Sequence, residues 1–143
     1  MSTAAAVIAA TTFCWLGMVL AISFLEAPLK FRAPEVTLRI GLGIGRLVFR
    51  ALNIAEVILA LTVLAALVAG EPSTALTVTA ALTLAVLAAQ LGAVRPALTR
   101  RSDAVLAGLD VPRSHAHHVY IALELAKVIL LLATGILALS SGA

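Results

Sequence analysis

Arg46, Arg50, Asn53 and Glu56 have the types and spacing to hold a charged ligand. At 100° per helical residue they fall at about 0°, 40°, −20° and −80°, so one helix would carry all four on a single stripe. A second stripe follows later in the chain, where His117, Tyr120, Glu124 and Lys127 fall at about 0°, −60°, −20° and −80°. Two carboxylates beside a lysine form a charge-changing centre, and paired arginines with an asparagine can grip an anion. Gln90 adds a further polar group, and Glu26 closes an apolar run at the same level.

These groups sit in a chain that is almost entirely apolar elsewhere. Of its 143 residues 62% are hydrophobic and 12% charged, and the mean hydropathy is +1.13. A soluble bundle of this length would need a polar face on every helix, and the long apolar stretches have none. The chain is therefore expected to be an all-α, four-helix transmembrane bundle, a single integral membrane domain across residues 1–143. The spans read as residues 4–25, 47–69, 73–94 and 119–139, each about 20 residues, enough to cross about 30 Å of hydrocarbon.

Pro28, Pro34, Pro72, Pro96 and Pro112 all fall outside these spans and are taken to mark the helix boundaries. Residues 35–44 and 96–109 are too short or too charged to span. The second of them reads as an in-plane helix at the inner headgroups or as loop. The first span lacks a basic leader, because Met1-Ser2-Thr3 carries no Lys or Arg, and is read as a retained helix.

Lys30, Arg32, Arg39, Arg46 and Arg50 cluster after span one, and Arg95, Arg100, Arg101 and Arg113 after span three. The turn between spans two and three has no basic residue. Two crossings separate the basic loops, so both can lie in the cytoplasm, with the N- and C-termini outside. A cell (inner) membrane location follows. The net charge of +3 finds its partner in anionic lipid, and no nucleic acid is implied.

An ionisable group near mid-bilayer costs at least about 2.5–3.5 kcal/mol, so Glu56, Glu124 and Lys127 should face one another inside the bundle. The expected result is a polar pocket open to the cytoplasm, lined by Arg46, Arg50, Asn53, Glu56, Gln90, Tyr120, Glu124 and Lys127. It would bind or translocate a small polar or cationic ligand. The same residues could instead form a buried network that only fixes helix register. His115 and His118 are three residues apart and could bind a metal ion or a porphyrin, or they could be interfacial residues near a Ser114 cap. Cys14 is alone, which excludes an internal disulfide and a cysteine zinc site, and Trp15 is read as packing. Gly41, Gly43 and Gly45 lack the strand and lysine of a phosphate loop. Four short helices enclose little pocket by themselves, so a homo-oligomer or a membrane partner subunit is expected.

Trp15-Leu16-Gly17, Ala27-Pro28-Leu29-Lys30-Phe31 and Gly45-Arg46-Leu47-Val48-Phe49 together resemble the copper-resistance-D-like superfamily. Within it the chain looks most like an uncharacterised four-helix membrane family with a mammalian member linked to cisplatin tolerance. His115 and His118 match its histidines at the start of the last helix. A haem-holding protoporphyrinogen oxidase belongs to the same superfamily, and its helix-one histidine has no counterpart ahead of Trp15. A shorter stretch, Arg50-Ala51-Leu52-Asn53-Ile54-Ala55-Glu56, is similar to the second helix of the MAPEG family, one residue short between Arg-Ala and Asn. That likeness implies a glutathione-dependent membrane enzyme. Haem, a metal ion and glutathione are thus the cofactors in view, and an accessory subunit of a membrane complex is a third possibility.

Overall fold

Lipid offers a backbone no hydrogen bonds, so each apolar run closes its own as a helix. In the computed structural model, which describes residues 1–141, four helices are long and apolar enough to cross a membrane: α1 (Thr3–Arg32), α2 (Leu38–Ala69), α3 (Thr74–Leu106) and α4 (His115–Ser140). Short polar side chains start three of them. Ser2 Oγ accepts from the Ala5 N–H at 3.1 Å, Thr37 Oγ1 from Ile40 at 3.2 Å and Ser73 Oγ from Leu76 at 3.2 Å, each satisfying one orphan donor of a first turn. Ser114 precedes α4 but makes no such bond, so the expected cap is absent there.

The helices overrun the expected spans at their basic ends. α1 continues past residue 25 to Arg32, α2 starts at Leu38 and not at 47, and α3 runs through residues 95–106 without leaving the helix. Hydropathy marks where lipid ends, and a charged helix can continue into water beyond that point. Pro28 and Pro96 correct the expectation that proline marks every boundary, since both lie inside these continuous helices. A proline removes one N–H and crowds the carbonyl four residues back. In both helices a wide π turn, Leu20–Glu26 in α1 and Gln90–Val94 in α3, precedes the proline and absorbs that crowding. Pro34, Pro72 and Pro112 lie in the connections as expected.

α1 and α4 form the centre of the bundle. α1 packs against α2 and α4, and α3 packs against α4. α2 and α3 meet at their connecting turn and again near the basic end, where Arg46 and Asp103 form an ion pair at 2.6 Å. Two apolar clusters fill the half nearer the termini: Ile8, Ala9, Ala66, Leu76 and Ala138 at the end, then Trp15, Val19, Ala60, Leu87 and Leu131. Leu61, Val68, Ile129 and Ile136 project outward, where lipid is their solvent. Both basic loops lie at the opposite end, the one the positive-inside rule assigns to the cytoplasm.

At that end the last turns of α1 cross α2 at Gly41 and Gly45. A Cβ on Gly41 would collide with the Phe31 ring, and one on Gly45 would come 3.1 Å from Lys30 Nζ. Two small residues four apart therefore let Lys30 and Phe31 lie on the surface of α2.

Candidate functional site

Glu56, Glu124 and Lys127 are almost completely buried, with at most 1% of each residue exposed, and they converge from α2 and α4. Lys127 Nζ contacts Glu56 Oε2 and lies 2.7 Å from Glu124 Oε1 and 2.8 Å from Gln90 Oε1. Three oxygens thus surround the ammonium, those of Glu56 and Gln90 as hydrogen-bond acceptors and that of Glu124 as an ion-pair partner. Glu124 is equally engaged: Oε1 also accepts from Gln90 Nε2 at 3.2 Å, while Oε2 accepts from Ser23 Oγ at 2.6 Å and Tyr120 OH at 2.7 Å. Glu56 Oε2 accepts a second bond from Trp15 Nε1 at 2.8 Å, and its Oε1 is buried without a hydrogen-bond partner. Every helix contributes to this network, which ties α1, α2 and α3 to α4.

On the basic side of the network the bundle opens into a cavity of about 940 Å³. Lys30, Arg46, Arg50, Arg95, Arg101 and Arg113 line it with His117, whereas Glu124 is its one carboxylate among the described residues. Lys30 is within 3.6 Å of Glu26, and Arg46 is paired with Asp103. Arg50, Arg95, Arg101 and Arg113 have no ion-pair partner among the described residues. Arg95 is held by aromatic rings. Its guanidinium sits 4.8 Å from the Phe49 centroid and 4.6 Å from that of Tyr120, and those two rings meet edge to face at 6.0 Å. Nε and Nη2 of Arg95 are buried without a hydrogen-bond partner.

The expected site residues thus separate into two groups. Arg46, Arg50 and Asn53 line the cavity, and Glu56, Gln90 and Lys127 belong to the closed network. Tyr120 and Glu124 belong to both, because the Tyr120 ring forms wall and its hydroxyl bonds the floor. His115 and His118 are exposed and outside the cavity, and no cluster of three or more His, Cys, Asp or Glu suited to a metal forms among the described residues. His118 instead meets His117 edge to face at 5.7 Å.

Trp15 is more than the packing residue read from the sequence, since it donates directly to Glu56. A buried indole N–H needs an acceptor, and that was the available signal. Arg95 is the larger omission. In an ideal helix Gln90 and Arg95 stand about 140° apart, but across a π turn the N–H of one residue reaches the carbonyl five before it and brings both to one side. The Arg95 N–H does bond the Gln90 carbonyl, so the π turn swings this arginine toward the bundle axis.

Compared with protein-family models, curated proteins and solved structures, the chain matches none.

Proposed function

We propose that this chain is a multi-pass protein of the inner membrane that binds a small anionic ligand in the cavity at its cytoplasmic end. One observation carries the reading: six Lys and Arg side chains line the cavity against a single carboxylate, Glu124, both of whose oxygens already accept bonds. A cation entering there would meet repulsion and no free carboxylate oxygen. An anion would meet guanidinium donors that lack partners. The packing beyond Glu124 supports binding more than translocation, because passage would require the Lys127 network and the cluster around Trp15 and Leu131 to separate.

The test is thermal unfolding of the purified protein with glutathione, inorganic phosphate or choline. Stabilisation by an anion that is lost in Arg50→Gln supports the reading. Stabilisation by choline alone would overturn it. The glutathione-dependent enzyme is a second reading, favoured by Arg46, Arg50 and Asn53 lining one cavity. It requires thiol-conjugating activity that disappears in Arg50→Ala. Kinship with the copper-resistance-D-like superfamily rests on the short motifs around Trp15, Pro28 and Phe49, and a Soret band in the purified protein would tie the chain to its haem-holding branch.

A further inference from the structure

Resting on that reading, we infer that the ligand is a single-chain lipid phosphate, its head held by Arg50 and Arg95 and its tail lying along the apolar wall of the cavity. The cavity is far larger than its cationic groups require. At about 30 Å³ per water, 940 Å³ holds roughly thirty waters, and a free phosphate would displace only a few of them. The remainder would stand against Phe24, Pro28, Leu42, Leu47, Leu98 and Ile121, and wetting such a surface is unfavourable. A tail removes that cost. The volume sits near the top of the roughly 300–1,000 Å³ range of small-molecule sites, which leaves room for one chain and a head.

The cavity is also elongated. On α2 its lining runs from Leu38 through Leu42, Arg46, Phe49 and Arg50 to Asn53, a rise of on the order of 20 Å at 1.5 Å per residue. The α3 wall is mixed: Arg95 stands against Tyr120, and Leu98 is followed by Thr99, Arg101 and Ser102, so the apolar surface is supplied mainly by α1 and α2. Leu47 lines this cavity while 72% of its surface stays open, and Phe24 and Leu38 are both lining and exposed. At Phe24 and Leu47, which lie within the apolar spans, the wall is therefore continuous with the lipid-facing surface, and a tail can enter from the bilayer. A phosphate head suits the floor, because guanidinium groups present forked donors that match its oxygens.

The experiment uses the full chain in nanodiscs and follows its unfolding temperature with decyl phosphate, glycerol phosphate and decyltrimethylammonium at equal concentration. Decyl phosphate should raise it by roughly 5–10 °C at a hundredfold excess over Kd, with little change from the other two. Arg50→Gln, at an exposed position, should cut that shift by at least half in a protein that still unfolds cooperatively, and Leu42→Trp should do the same by filling the wall. An equal shift from glycerol phosphate would overturn the lipid inference and leave the anion reading intact. An equal or larger shift from decyltrimethylammonium, or none from either phosphate, would remove both.

Discussion

At mid-depth Lys127 is paired with both Glu56 and Glu124, while nearer the basic end Arg50, Arg95 and Arg113 carry charge with no ion-pair partner among the described residues. Both regions hold ionisable groups inside one small bundle, and their environments explain the contrast. The network is buried, where an unpaired charge costs several kcal/mol, so its charges pair with one another, Glu56 Oε1 being the carboxylate oxygen left without a hydrogen bond. The cavity is open, and water can hydrate the exposed guanidinium groups of Arg50 and Arg113 until a ligand replaces it. Paired charge in the network therefore serves assembly of the bundle, and the charge left without an ion-pair partner beside the cavity is what the proposed anion site would use.

Lys127→Met offers the strongest way to break that distinction. It leaves Glu56 and Glu124 facing each other without a cation, and destabilisation of about 3–5 kcal/mol is expected in a reversible unfolding titration. Adding Glu56→Gln and Glu124→Gln should recover most of the loss, because the triple variant buries no charge in the network. Normal stability of the single variant together with a lost anion response would place recognition in the network instead. Trp15→Phe is the next largest. It keeps an aromatic ring but removes the donor to Glu56, and a hydrogen bond to a charged group contributes about 1.5–3 kcal/mol.

The two regions were unequally legible in the sequence. Four apolar runs separated by two basic loops determine the helix number and order, because lipid leaves a spanning backbone no alternative. The stripes on α2 and α4 also bring Glu56 and Lys127 to one place, since each charge must turn away from acyl chains. Helix ends were another matter: residues 38–46 and 95–106 are helical in the structure although their hydropathy reads as loop or surface. The cavity depends on those extensions, which supply Arg46, Arg95 and Arg101. It depends also on a π turn that shifts the helical phase by most of a residue, and periodicity counted at 100° cannot register such a shift. Without it Gln90 and Arg95 belong to different faces, and six cations around one cavity are not foreseen.

Arg95→Gln sharpens the comparison from the other side. The lost contacts are the aromatic faces of Phe49 and Tyr120, and the unpartnered Nε and Nη2 disappear with them. A stability change within about 1 kcal/mol is expected, far below that of Lys127→Met, alongside a loss of at least about tenfold in anion affinity. A destabilisation as large as that of Lys127→Met would show that Arg95 also holds the bundle together.

Asp103→Asn should have the smallest effect on folding and an informative one on binding. The Arg46–Asp103 pair joins α2 to α3 at 2.6 Å, but its side chains are 42% and 57% exposed, and an ion pair so open to solvent contributes about 0–1 kcal/mol, less as salt rises. Arg46 also lines the cavity, so Asp103 draws away a charge that a bound anion could use. Asp103→Asn should therefore tighten anion binding severalfold at low ionic strength, while Arg46→Gln should weaken it. Both should leave the unfolding transition nearly unchanged. If the two substitutions instead moved affinity in the same direction, the ion pair itself would be what shapes the cavity, and charge would not be its selective feature at this end.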